Sequence, residues 1–150
     1  MIKNRRYFIV FIMMVVAVLS ATANNRICNY DIKQGLPDNT VNCIVQDNRG
    51  FIWTGTSNGL AQFDGMFFTM FRHSNNDTTS ISNNNVHSLL AAEHGLYIAT
   101  DYGVNYYSYM DSKFHRCKIK AKHKTGNSFI SLVETSGGVF VFDDLGRLYR

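Results

Sequence analysis

A repeat constrains this chain more than any other feature. In the stretch 41–65, VNCIVQDNRGFIWTGTSNGLAQFDG, three short strand-like runs are separated by two glycine-containing turns. A weaker copy follows. Val41 aligns with Val86 and Gly50 with Gly95 at an offset of 45 residues. After a one-residue deletion, Trp53 aligns with Tyr97, Thr56 with Thr100 and Gly59 with Gly103 at an offset of 44. A third copy lies a further 43 residues on, where Ser88-Leu89 matches Ser131-Leu132, Gly95 matches Gly138, Tyr97 matches Phe140 and Gly103 matches Gly146. A period of this length with several strands per unit is that of β-propeller blades, each of which needs neighbours to cover both faces of its sheet.

The internal layout of the first copy supports the same reading. Val41–Gln46 reads as a first strand, and Asp47-Asn48-Arg49-Gly50 as a turn in which Asp47 accepts from turn amides and Gly50 supplies a positive φ. Phe51–Thr56 is a second strand, and Ser57-Asn58-Gly59 a tight hairpin turn. Leu60–Asp64 is a third strand, Gly65 turns the chain, and Phe67–Arg72 is a fourth. Links this short make an antiparallel meander. Strands one and two are apolar on both faces (Val41, Cys43, Ile44, Val45; Phe51, Ile52, Trp53), which predicts burial on both sides between neighbouring blades.

The polar segment His73–Asn85 is read as an ordered crossing between blades, pinned by Ile81 where the first copy has Leu36. The second copy runs Val86–Leu90, Leu96–Thr100, Val104–Tyr109 and Lys113–Ile119. Its fourth strand continues into Lys118, Lys120, Lys122 and Lys124 at period two, the pattern of a solvated outer strand that resists edge pairing. Residues 127–150 supply two strands and a shortened third. Cys28–Lys33 reads as an outer strand that would close the last blade of a ring. The expected architecture is all-β: a partial β-propeller with two near-complete four-stranded antiparallel blades, 41–85 and 86–126, and a truncated third, 127–150. A closing strand and link, 24–40, precedes them after an N-terminal signal helix.

The first residues point to export. Lys3, Arg5 and Arg6 precede an uncharged apolar run of 13 residues, Tyr7–Leu19, and then Ser20-Ala21-Thr22-Ala23. A basic head, a short apolar middle and small residues describe a signal peptide over 1–23, cleaved after Ala23. An uncleaved anchor is the alternative, but the run is shorter than the ~20 residues a spanning helix needs. Without the leader, the formal charge of +4 falls to +1, with 12 basic and 11 acidic residues. Such a balance does not predict nucleic-acid binding. Cys28, Cys43 and Cys117 form an odd set at no zinc-site spacing. Cys43 alternates with core residues, and a Cys28–Cys117 disulfide is an open pairing.

No residue pattern predicts catalysis. His73, His87, His94, His115 and His123 form no pair at metal-ligand spacing. Asp143-Asp144 are strand neighbours pointing to opposite faces, and a turn role suits them better than paired acid–base work. Gly55 and Gly59 flank a hairpin with no helix after it, so they form no phosphate loop. Trp53, Tyr97 and Phe140 share one repeated position, as inter-blade packing residues would. Tyr102, Tyr106, Tyr107 and Tyr109 exceed what packing demands and are candidates for stacking on sugar rings. No catalytic, cofactor-binding or metal-binding residue is expected, and no cofactor; the ligand contacts are otherwise unlocated.

The set Gly35-Leu36, Val41, Asp47, Gly50, Trp53, Gly55-Thr56, Gly59-Leu60 and Asp64-Gly65 resembles the two-component regulator propeller repeat. That family forms the periplasmic sensor region of hybrid two-component systems in gut Bacteroidetes. The resemblance spans Ile27 to Arg150 and is strongest in the first copy. Later copies depart from it: Trp53 becomes Tyr97 and Phe140, Gly55 becomes Ala99 and Phe142, and Leu60 becomes Val104 and Arg147. The resemblance implies a longer protein with stacked propellers, a β-sandwich, a membrane helix and a histidine kinase with receiver and DNA-binding modules. It implies a non-catalytic sensor at the periplasmic face of the inner membrane. The partners it implies are an oligosaccharide ligand, the remaining blades of the longer chain and a second receptor copy in a homodimer, with no nucleic acid bound by this segment. An N-terminal fragment of an extracellular propeller enzyme, such as a polysaccharide lyase or glycosidase, is the alternative. A purely structural or interaction propeller is a third reading.

Overall fold

A computed structural model describes residues 27–119 and 128–150. The signal segment 1–23, His123, and Lys120, Lys122 and Lys124 lie outside the described residues. Among the described residues, eleven strands follow one short 3₁₀ turn, Ile32–Gln34. They are β1 Val41–Gln46, β2 Ile52–Thr56, β3 Gly59–Phe63, β4 Phe68–Phe71, β5 Val86–Ala92, β6 Gly95–Thr100, β7 Gly103–Ser108, β8 Lys113–Arg116, β9 Phe129–Thr135, β10 Gly138–Asp143 and β11 Leu148–Tyr149. They form three antiparallel sheets in meander order, β1-β2-β3-β4, β5-β6-β7-β8 and β9-β10-β11. These are successive blades of a β-propeller, with β1 packed on β5 and β5 packed on β9 as the inner strands.

Burial is graded by how many neighbours a blade has. Every residue of β5, between β1 and β9, is buried or half-buried. Ile44 of β1 is 67% exposed, and Ile130 and Val133 of β9 are 46% and 43% exposed. Coverage on both faces therefore holds for the middle blade. The outer two keep apolar residues on the faces that no described blade covers. Trp53, Leu60, Val86, Leu96, Ile98 and Tyr107 form the core between the first two blades. Ala99, Val104, Phe129, Leu132 and Val141 form the core between the second and third.

Gly55 is a contact glycine and not a turn residue. A Cβ on it would meet Cys43 Sγ and Val86 Cγ1 at 2.5 Å, so its missing side chain sets how closely the second blade approaches the first. Gly50, by contrast, sits in the β1–β2 turn at φ 90°, a left-handed conformation suited to glycine.

The crossing between blades is ordered. Ile81 and Leu36 are both buried, at 0% and 7% exposure, as their matching positions predict. Ser82 N donates to Asn105 Oδ1 at 3.1 Å, Asn105 Nδ2 donates to Ser82 Oγ at 2.8 Å, and Ser82 Oγ lies 2.8 Å from Thr100 Oγ1. This buried polar set ties the crossing to β6 and β7, with each member satisfied by another.

Two expectations are corrected. Cys28–Lys33 is not a strand. Asp31 caps the 3₁₀ turn and Gly35 ends it in a left-handed conformation, so local bonds replace the ladder a closing strand would need. Tyr30 instead packs on Phe63 and Phe68 of the first blade, with ring centroids 5.0 and 5.7 Å apart. The fourth strand of the second blade ends at Arg116 and does not reach Ile119. Cys28, Cys43 and Cys117 are all free thiols. Burial pushes the Cys43 thiol up to about 11, which fits its place against Val86. Among the described residues no helix is long and apolar enough to cross a membrane.

Candidate functional site

The β1–β2 turn is built around one carboxylate. Asp47 accepts from the Arg49 and Phe51 amides at 3.0 Å each, from Trp53 Nε1 at 3.0 Å and from Arg49 Nη2 at 2.9 Å. Burial alone would raise its pKa. The indole, guanidinium and amide bonds together outweigh burial and hold the carboxyl below its usual range. Arg49, fixed by Asp47, lies with Cζ 3.7 Å from the ring centroid of Tyr109, a cation–π contact across two blades. The Tyr109 hydroxyl is buried beside Asp47. Burial first, then the Asp47 charge, pushes it up to about 12.

This turn forms one wall of an open groove of about 670 Å³ between the first two blades. Asn48 and Arg49 come from the β1–β2 turn, Glu93 and His94 from the β5–β6 turn, and Tyr106 and Tyr109 from the end of β7. Asn48 Nδ2 donates to Glu93 O at 2.9 Å, bracing one turn on the other. The Tyr106 ring lies across Gly95, where any Cβ would collide with it, and against Tyr97 at a centroid distance of 4.8 Å. Glycine at position 95 thus makes room for a fixed aromatic ring.

The four candidate tyrosines are not brought together. Tyr106 and Tyr109 line the groove. Tyr107 is a core residue at 5% exposure, packed on Trp53 and Phe114. Tyr102, 72% exposed, sits in the β6–β7 turn at the opposite ends of the strands.

That opposite end carries a polar cluster. Each inner strand has a register irregularity at its second residue, which leaves Asn42, His87 and Ile130 as bulge positions. A bulge re-aims its side chain. Asn42 Nδ2 donates to Val86 O at 2.9 Å and to Asn85 Oδ1 at 3.3 Å, reaching into the second blade. His87 Nε2 lies 2.6 Å from Asp101 Oδ1 and 3.1 Å from Ser128 Oγ, reaching into the third. Ser128 Oγ donates to Asp101 Oδ1 at 2.6 Å, and Asn85 Nδ2 to Asp101 Oδ2 at 3.1 Å. Burial works to raise the Asp101 pKa, and these donors outweigh it and hold it low.

Serine, histidine and aspartate meet here, but not as a relay. A relay places the carboxylate on one ring nitrogen and the nucleophile on the other. Here both sit at Nε2, and the serine proton goes to the carboxylate. The cluster is a clasp between blades.

The remaining candidates have local roles. Asp143 accepts from the Leu145 and Arg147 amides at 3.0 and 2.8 Å, from Arg147 Nε at 2.6 Å and from Tyr149 Oη at 2.9 Å. This is the Asp47 arrangement repeated, DNRGFIW against DDLGRLY, and it confirms a turn role. Asp144 beside it is exposed, so the two carboxylates do not converge. Aligning the copies strand by strand hides this match, because it lies in the second turn of the third blade and the first turn of the first. His73 bonds to Ile81 O and Asn75, His115 to Asp111, and His94 is solvated. Among the described residues no group of three His, Cys, Asp or Glu side chains could hold a metal ion.

Residues 35–58, which include the Asp47 turn, Trp53 and Gly55, match the family model described as two component regulator propeller. The chain carries a two component regulator propeller repeat. Over 74 residues it is 34% identical to Histidine kinase P4 of Formosa agariphila, a match covering 49% of this chain and 5% of that protein. Two solved extracellular domains of hybrid two component systems from B. thetaiotaomicron share the fold. That of BT3049 aligns with a TM-score of 0.67 at 23% identity, over 82% of this chain and 19% of its own. That of BT4673 aligns with a TM-score of 0.65 at 27% identity, over 83% of this chain and 18% of its own. The chain thus spans less than a fifth of each of these relatives. Within the two component regulator propeller repeat, the matched residues are those that build the turn and seat the next blade.

Proposed function

We propose that this chain is part of the exported sensor propeller of a hybrid two-component regulator, that it binds an oligosaccharide, and that it performs no catalysis itself. The observation that carries this reading is the likeness to extracellular domains of such systems over 82–83% of the chain. The candidate chemistry supports it: the Ser128–His87–Asp101 set is wired as a clasp, and Asp47 and Asp143 are saturated by turn donors. An open groove between blades, walled by aromatic and hydrogen-bonding side chains, suits binding without turnover. Kinase activity belongs to other parts of a longer receptor. That receptor is homodimeric, and its propeller stands on the periplasmic face of the inner membrane after loss of residues 1–23.

The test is to incubate the mature polypeptide with polysaccharides and their short oligosaccharides, following binding by calorimetry and hydrolysis or elimination by release of reducing ends. Saturable binding without new reducing ends is expected. Turnover would replace the sensor reading with that of a propeller enzyme. Neither binding nor turnover would leave a purely structural propeller.

A further inference from the structure

The groove between the first two blades has features beyond general suitability for a ligand. We propose that it seats a neutral pyranose unit of an oligosaccharide, bridging the first and second blades. This rests on the sensor reading above and adds a site and a charge class to it.

The groove's volume of about 670 Å³ is in the range of small-ligand sites. Its donors are held before any ligand arrives. Arg49 Nε and Nη2 are taken by Asp47, and its plane rests on Tyr109, which leaves the Nη1 edge unengaged on a side chain 33% exposed. A guanidinium locked this way presents a planar pair of donors with little rotamer entropy left to lose. Ser108 Oγ, on the same wall, accepts from the Met110 and Asp111 amides at 3.3 and 3.5 Å and donates to the Asp111 carboxylate, so it is engaged within its own turn. Tyr106, fixed between Gly95 and Tyr97, brings a phenol to the same wall. Glu93, with its side chain 83% exposed, supplies the acceptor. Donors and an acceptor around a largely apolar lining match a ring whose edge carries hydroxyls and whose faces carry C–H groups.

Charge selects the class. The Arg49 cation is matched by Asp47 at 2.9 Å, and His94 faces Glu93 at 3.9 Å. The groove holds no surplus positive charge for a carboxylated or sulfated sugar, and Glu93 repels one. The geometry also corrects the stacking expectation for Tyr109. One face of its ring is covered by Arg49, so the guanidinium and not the phenol is what the groove presents there.

The experiment is an array of short neutral and uronate-containing oligosaccharides, probed with the wild-type mature chain and with Tyr106→Phe, Glu93→Gln and Arg49→Lys, each checked for fold by far-UV circular dichroism. The first two remove only a hydroxyl or a charge from exposed or half-exposed positions and leave the packing intact. The wild type is expected to bind neutral glycans. Tyr106→Phe and Glu93→Gln together should weaken that binding about tenfold, through the loss of one ligand hydrogen bond and the loss of charge assistance to a second. Arg49→Lys should weaken it further. Neutral binding that all three variants preserve would overturn the groove and leave the sensor reading standing. Binding of uronates alone, strengthened by Glu93→Gln, would overturn the neutral class. No binding to any glycan would overturn the site and the oligosaccharide reading together.

Discussion

Asp47→Ala should be among the most damaging single changes to the first blade, and its cost can be worked from the bonds it breaks. Trp53 is fully buried, and its indole N–H donates to Asp47. Removing that acceptor leaves a buried donor unpaired, at about 1–3 kcal/mol. The Arg49 and Phe51 amides lie in a turn that water reaches, so losing their shared acceptor adds about 1 kcal/mol. Arg49 is a third exposed, and its ion pair contributes near zero after screening. The sum is about 3 kcal/mol, read as a shift of the urea midpoint at constant slope by far-UV circular dichroism. The decisive comparison is a double-mutant cycle with Trp53→Phe. That change removes the orphaned donor, so Asp47→Ala made in the Trp53→Phe background should cost only about 1 kcal/mol, a coupling of about 2 kcal/mol. Equal cost in both backgrounds would refute the claim that the carboxylate acts through the indole. A total below about 1 kcal/mol would refute the turn's importance altogether.

Two further predictions follow from the same geometry. Gly55→Ala should cost about 2 kcal/mol by overpacking against Cys43 and Val86, and combining it with Val86→Ala should cost less than the two changes summed; a Gly55→Ala chain as stable as wild type would contradict the close approach. Asp47, Asp101 and Asp143 are all held below the ordinary carboxyl value of 3.8, so their contribution is complete above that pH and is lost only as pH falls through the lowered values. Acid unfolding followed by circular dichroism should therefore have its midpoint below pH 3.8, and unfolding already under way at about pH 5 would show that these carboxylates do not control it.

The blade pattern was legible because it rests on local chemistry. Glycine turns and apolar runs place Val41–Gln46 on the observed strand to the residue, and the offset of 45 carries that placement to Val86. What escaped depends on contacts between blades. Nothing local to Gly55 distinguishes it from a turn glycine; only the arrival of Val86 from the next blade does. The tyrosines 102, 106, 107 and 109 are close in sequence, yet strand alternation and one turn send them to a tip, a groove and a core. The groove itself is made of three turns from two blades, with Arg49 reaching Tyr109 across 60 residues of chain. A residue type in a repeat announces its element, but not which neighbour its side chain meets.

The two aspartate turns show one device used at two different places in the fold. The unit Asp-x-x-Gly-x-x-aromatic closes a turn and anchors the aromatic ring two turns of side-chain alternation later. It needs only that a strand leaves the turn with the ring on the same side as the carboxylate. The first blade uses it between β1 and β2, with Trp53 as the ring; the third uses it between β10 and β11, with Tyr149. The second blade joins β5 to β6 by the short Glu93-His94 turn and has no such carboxylate there, yet its sheet is as complete as the first. It is instead held by neighbours on both faces and by the His87–Asp101–Ser128 clasp. The signature's absence from the second copy therefore does not argue against that copy being a blade, since its four-stranded sheet forms without it.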